Sequence, residues 1–153
     1  MSTPTRKQLV GWRSFVECST VVLDEELQAD AGLSLSWYDL LVRLEEDDGM
    51  RMNQIAERIL FSKSGLTRMV DRMEEAGLVR RERPAEDRRV IRVWMTPHGT
   101  ATLRAARKVH HRGIQQHYLG HLTAADLDAI AAVLAKLEGP LHELRPGRIA
   151  RKR

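Results

Sequence analysis

The chain has 153 residues, 42% hydrophobic and 5% aromatic, with a formal net charge of +4, and no apolar run approaches the roughly 20 residues of a membrane span. MSTPTRKQ at the N-terminus has no apolar stretch of signal-peptide type behind its charges, and the single cysteine, Cys18, excludes an internal disulfide framework; a soluble cytoplasmic protein is expected. Positive charge is segregated: residues 1–50 carry 4 Lys/Arg against 10 Asp/Glu, residues 51–92 carry 11 against 7, and the last nine carry 5 and no acid, as a localised polyanion contact needs.

The spacing of Leu9, Trp12, Val16, Thr20, Leu23 and Leu27 predicts a long helix over 5–30, with Gly32 as its stop. Ser34 or Ser36 caps the next helix, which turns Trp37, Leu40, Leu41 and Leu44 inward and ends at the acidic run 45–49. Residues 50–52 are a brief strand at most. Asn53 then suits the N-cap of a short helix over 54–60 that buries Ile55, Ile59 and Leu60. After the break at 61–64, Ser62 or Ser64 caps a helix running to about Ala76, with Leu66, Met69, Val70 and Met73 as its buried stripe and Gly77 in the left-handed C-cap position. Two short helices joined by a tight polar turn make a helix-turn-helix.

The period changes over 78–96. Leu78–Arg81 and Val90–Met95 read as two strands of a β-hairpin whose polar loop, Glu82–Arg89, is rich in arginine. Thr96 caps the following helix with Pro97 at its first position, where the missing N–H costs nothing. That helix, 97–120, places Leu103, Ala106, His110, Ile114 and His117 on one face. Thr123 and Asp126 form a cap signature for the last helix. There Leu127, Ile130, Leu134, Leu137, Leu141 and Leu144 step in a coiled-coil-like seam, and Pro140 should bend or end the helix. The seam fits a partner helix from a second subunit better than internal packing, because the long terminal helices are too extended to bury their faces on so small a central module.

A helix-turn-helix followed by a hairpin is a winged helix. Its second helix enters the major groove of DNA, and its hairpin reaches the adjacent minor groove, where arginine is attracted to narrow A·T-rich segments. Arg88 and Arg89 stand at the tip of that arm. Residues 53–99, NQIAERILFSKSGLTRMVDRMEEAGLVRRERPAEDRRVIRVWMTPHG, resemble the MarR family of bacterial transcription regulators. The resemblance is carried by the corner Met73-Glu74-Glu75-Ala76-Gly77-Leu78-Val79, the wing Asp87-Arg88-Arg89 and the exit Met95-Thr96-Pro97-His98-Gly99, with Met where Leu is commoner.

The resemblance implies a mainly α fold: a winged helix-turn-helix lobe over 34–96, flanked by long N- and C-terminal helices, 1–33 and 97–144, that form a dimerisation region. It also implies an obligate homodimer on a pseudo-palindromic site with half-sites about one helical turn apart. Lys63, Ser64, Thr67 and Arg68 face away from the buried stripe and are the candidates for groove contacts, Thr67 and Arg68 reaching base edges. Asn53, Gln54 and Arg72 fit phosphate, Arg88 or Arg89 enters the minor groove, and Asp87 orients an arginine. The basic tail 145–153 is read as a disordered solubilising segment rather than an added backbone contact.

Members of that family usually respond to a small phenolic or aromatic acid where the N-terminal helix meets the lobe. Trp12, Arg13, Trp37 and Tyr38 lie near that junction, Arg13 suiting a carboxylate and the aromatics an apolar wall; core packing is the competing reading for both tryptophans. His110, His117 and His121 fall at i, i+7 and i+11, with His111 adjacent, and His117 and His121 have metal-ligand spacing only if the helix continues through Gly120; this zinc-responsive alternative is weaker. Cys18 beside Glu17 has no basic neighbour in sequence to activate it as a redox sensor. No phosphate-binding glycine loop, nucleophile elbow or metalloprotease signature is present, so an enzyme is not expected, nor a cofactor or a resident metal. The expected partners are double-stranded DNA, a second copy and a small aromatic effector; the third class of function is a winged-helix module for protein contact alone.

Overall fold

The computed structural model describes residues 20–47, 49–58, 63–84 and 90–143, together with Arg6. Six helices and three short strands follow one another: α1 (Val22–Ala31), α2 (Leu35–Glu46), β1 (Met50–Arg51), α3 (Met52–Arg58), α4 (Lys63–Glu75), β2 (Val79–Glu82), β3 (Arg92–Met95), α5 (Pro97–His117) and α6 (Ala124–Glu143), with a 3₁₀ turn at Leu119–His121. The stop at Gly32 and the cap at Ser34 form as predicted. Gly32 takes φ +62° past α1, which buries Leu23 and Leu27. Ser34 accepts the Trp37 N–H at the start of α2, and Asp24 of α1 accepts the Leu35 N–H at 2.6 Å, so one helix helps to cap the next. The N-terminal part of the expected first helix, 7–19, lies outside the described residues.

Gly77 takes φ +70° and closes α4 with a Schellman pair, its own N–H donating to the Glu74 carbonyl and that of Leu78 to Met73. This commitment of Leu78 moves the first wing strand: it begins at Val79, not Leu78. The second begins at Arg92 rather than Val90, because the Ile91 carbonyl accepts the Met52 N–H at the head of α3. The expected two-stranded hairpin also gains a third strand, giving the antiparallel order β1-β3-β2. Met50 pairs with Val93 and Arg81 with Val93 on the inner face, while Arg51–Arg92–Glu82 and Trp94–Arg80 line the outer face.

The inner face closes on α2, α3, α4 and α5 through Leu40, Leu41, Met50, Ile55, Leu66, Val70, Met73, Val93 and Leu103, all at 1% exposure or less. Thr96 fastens this lobe to α5. Its hydroxyl donates to the Gly77 carbonyl at 2.6 Å and accepts the Gly99 N–H at 3.0 Å. A Cβ at Gly99 would stand 2.1 Å from the Leu78 carbonyl oxygen, so the first turn of α5 sits directly on the end of the α4 cap.

Two expectations about the C-terminal half are corrected. The 97–120 helix ends at His117, because Tyr118 leaves helical geometry at φ −126°, ψ −71°. Pro140 does not end α6, which runs on to Glu143; the missing Pro140 N–H removes the helical partner of one carbonyl, that of Lys136, which is an exposed residue. The Thr123–Asp126 cap forms as expected, each residue's N–H donating to the other's side chain, and the Thr123 hydrogen bonds hold the Asp126 carboxyl below its ordinary pKa.

Candidate nucleic-acid interface

Helix α3 opens with half of a capping box. The Arg51 N–H donates to the Gln54 side-chain oxygen at 2.9 Å, the reach-back expected of Gln three residues after a cap. Asn53 is therefore not the N-cap: the helix starts at Met52, and Asn53 accepts the N–H of Gln54 from inside the first turn. Both side chains are exposed at the head of the helix. Gln54 uses its carbonyl oxygen for the cap, leaving its amide N–H₂ as the group able to meet a phosphate.

In α4 the predicted stripe is the buried one: Leu66, Met69, Val70 and Met73 are 6% exposed or less. Thr67, Arg68 and Arg72 are exposed on the other side. Lys63 and Ser64 are the first two residues of the helix, so Ser64 is not its cap; their side chains, with Ser62, lie outside the described residues. Arg88, Arg89 and Asp87 also lie outside them.

The residue that fixes α4 against the wing is Arg81, which the sequence reading passed over. Its Nη1 reaches Asp71 at 2.7 Å and Glu74 at 2.8 Å, and Nη2 donates to the Thr67 carbonyl at 3.2 Å. The other Glu74 oxygen accepts the Arg81 N–H at 2.8 Å. An arginine on the inward register of a strand, facing a helix with acids at i and i+3, is a signal that pairing makes readable. The electrostatic consequence is direct. Arg81 engages both acids on that flank of α4, leaving Arg68 and Arg72 with no carboxylate partner among the described residues. On the outer face, Arg80 lies 5.4 Å over the Trp94 ring and pairs with Glu82 at 2.8 Å. The sheet that carries the wing is thus braced on both sides.

The junction with α5 holds the other candidates. Tyr38 is 7% exposed and stacks on His110 at 4.4 Å between ring centroids. Trp37 is half-buried against the core. Burial pushes the His110 imidazole below its ordinary pKa, helped by the neighbouring His111 and opposed by Asp39. Arg107, one turn earlier, is bonded to Glu45. His117 is 2.7 Å from Glu26 of α1 and is separated by the broken helix from His121. The spacing that suggested a metal pair is therefore lost, and among the described residues no group of three or more His, Cys, Asp or Glu is placed to hold an ion. Trp12, Arg13 and Cys18 lie outside the described residues. Among the described residues, no single helix is long and apolar enough to cross a membrane.

Comparisons with known proteins agree with this geometry. The family model of the MarR family matches residues 31–90. Transcriptional regulator HosA of Escherichia coli is 30% identical over 100 residues, 65% of this chain and 73% of the relative. The HTH-type transcriptional repressor MdtR of Bacillus subtilis is 33% identical over 106 residues, 69% of this chain and 68% of the relative. The crystal structure of Sco3205, a MarR family transcriptional regulator from Streptomyces coelicolor in complex with DNA, superposes with a TM-score of 0.81 at 29% identity, covering 92% of this chain and 91% of that one. With the helix pair α3–α4, the three-stranded wing sheet and the Thr96 junction in place, the chain belongs to the MarR family of DNA-binding transcription regulators.

Proposed function

We propose that the protein is a cytoplasmic homodimeric repressor that binds a pseudo-palindromic operator through two winged lobes and is released by a small aromatic acid. The observation that carries DNA recognition is the exposure of Arg68 and Arg72 on α4, where the neighbouring Asp71 and Glu74 are held by Arg81. Thr67 and Arg68 are assigned to base edges, with Lys63 and Ser64 at the head of the helix. Asn53, Gln54 and Arg72 are assigned to phosphates, and Arg88 and Arg89 to the minor groove. A relative that is named a repressor, MdtR, and a structural neighbour held on DNA, Sco3205, support the assignment.

Residues 1–33 and 97–144 are proposed as the dimerisation region around the lobe 34–96, with 145–153 as a basic tail. The exposed Val133, Leu134 and Leu137 of α6, at 54%, 48% and 45%, support a second copy as their cover. The effector is placed at the junction of lobe and long helices, with Trp12, Arg13, Trp37 and Tyr38. Binding of the full chain to its own upstream DNA against random duplex, across a salt series, tests the reading. Specific binding with a steep salt slope, weakened in Arg88→Ala/Arg89→Ala and relieved by aromatic acids, is expected. Equal binding to random duplex at every salt concentration would overturn it.

A further inference from the structure

The outer face of the wing sheet holds an arrangement that stability alone does not explain. Arg51 of β1 and Arg92 of β3 are direct cross-strand partners. Their neighbours Met50 and Val93 point into the core at 1% and 0% exposure, so both guanidiniums project from the opposite face. Like charges set directly across a sheet repel. Glu82 is the other cross-strand neighbour of Arg92, yet its carboxylate is 2.8 Å from Arg80 instead.

Sorting the arginines by partner sharpens the point. Arg43 is held by Asp39, Arg80 by Glu82, Arg81 by Asp71 and Glu74, Arg107 by Glu45 and Arg112 by Asp30. Arg51 and Arg92 have no carboxylate partner among the described residues. They are two facing cations on a stiff ladder, and the chemistry that relieves them is a shared or adjacent pair of anionic oxygens.

We propose that Arg51 and Arg92 form a phosphate clamp at the base of the wing, extending the DNA footprint beyond the recognition helix and the wing tip. The proposal rests on the regulator reading above, and continuity with that interface identifies the anion. Arg92 follows Arg89 by three residues, so at most about 10 Å of chain separates it from a tip lying in the minor groove. Duplex DNA carries one phosphate charge per roughly 1.7 Å of axis, so about six phosphate charges fall within that reach. Arg51 stands beside Arg92 and two and three residues before the exposed Asn53 and Gln54. The clamp thus joins the wing to the phosphate contacts assigned to the head of α3. Being contacts to backbone, these arginines position the lobe and carry no sequence information.

The test uses the full chain and a duplex enriched by that chain from random sequence. Arg51→Gln/Arg92→Gln is compared with wild type and with Arg104→Gln, which removes an exposed charge from α5. Each lost phosphate contact flattens the log affinity against log salt slope by about 0.9, so the double variant should flatten by about 1.8 per lobe. Between 50 and 200 mM salt that amounts to about tenfold less salt-induced loss for each lobe engaged. The affinity loss at low salt should be equal across operator variants, the thermal midpoint unchanged or higher, and Arg104→Gln indistinguishable from wild type. A double variant that keeps the wild-type slope while wild type binds overturns the clamp and leaves the regulator reading standing. A drop in thermal midpoint with an unchanged slope assigns the pair a structural role and also overturns it. If no duplex is enriched, the regulator reading and the clamp fall together.

Discussion

Glu74 holds Arg81 twice, taking its backbone N–H on one carboxylate oxygen and its guanidinium on the other, both at 2.8 Å. The contact joins the end of α4 to the first wing strand and, with Asp71 and the Thr67 carbonyl on the same guanidinium, helps to fix the angle between that helix and the wing. The Arg81 side chain is only 20% exposed, which reduces the solvent screening that weakens surface pairs. Arg81→Ala should cost about 1–3 kcal/mol of stability, as loss of charge-assisted hydrogen bonds does, and should weaken DNA binding with Arg68 and Arg72 intact. Arg81→Lys should recover little, because an ammonium cannot span Asp71, Glu74 and the Thr67 carbonyl. Urea denaturation of the three proteins checks this; full recovery by lysine would show that charge alone matters.

Gly49 sits against Trp94 under two constraints. Its φ is +80°, and a Cβ there would stand 2.7 Å from the indole ring. Gly49→Ala should therefore destabilise by about 2 kcal/mol or more, combining left-handed strain with overpacking. Removing the ring as well, in Gly49→Ala/Trp94→Ala, should restore only the packing share. A double-mutant cycle on thermal unfolding separates the two, and strict additivity would show that the clash is relieved elsewhere.

Arg68 and Arg72 share a helix but are assigned different work. Arg68→Ala should cost about 1–3 kcal/mol on the preferred operator and relax preference at one base pair. Arg72→Ala should weaken all duplexes alike and lower the salt slope by about 1. Competition binding with single-base operator variants distinguishes them; a uniform loss for Arg68→Ala would return it to the phosphate class.

What the sequence makes legible here is local chemistry. Ser34, Thr96–Pro97, Gly32, Gly77 and the Thr123–Asp126 cap each satisfy backbone groups within a few residues, and all are where their side chains predict. The buried stripe of α4 is equally plain, since a helix repeats its face by itself. Errors arise where a competing contact decides, some of them local and some distant. Leu78 leaves its strand because Met73 takes its N–H, and the helix α3 begins early because Gln54 reaches back to Arg51. The role of Arg81 needs a strand register that no local pattern supplies. The two histidines lose their metal spacing because Tyr118 breaks the helix, and His117 lies instead against Glu26, 91 positions away.

His110 gives the protein an acid-side weakness. Its imidazole is stacked on Tyr38, its Nδ1 is buried without a hydrogen-bond partner among the described residues, and its pKa is lowered, chiefly by burial and secondarily by His111. An unfolded chain therefore binds a proton at this position more readily than the folded one. Stability is full above the ordinary histidine value of 6.5 and falls as pH drops through it towards the lower folded value. His110→Phe keeps a ring against Tyr38 and removes the titration. Its thermal midpoint should change less than that of wild type between pH 7.5 and 5.5; an equal change would place the acid sensitivity at another group.

The leucine seam of α6 carries the clearest prediction about assembly. Leu134 and Leu137 are nearly half exposed within one chain, one turn apart on the same helix face, with Val133 beside them. Such a stripe is costly in water and is relieved by a matching stripe on a second copy. Leu134→Asp/Leu137→Asp places two charges in that seam. The wild-type chain should have the mass of a dimer by light scattering, and the variant that of a monomer with an intact lobe by circular dichroism. Operator affinity should fall by about 10²–10⁴, the gain that tethering two half-site contacts supplies. A variant that stays dimeric would move the interface to other parts of the long helices. A wild-type monomer would instead require each lobe to bind its half-site alone, and the pseudo-palindromic operator would lose its physical basis.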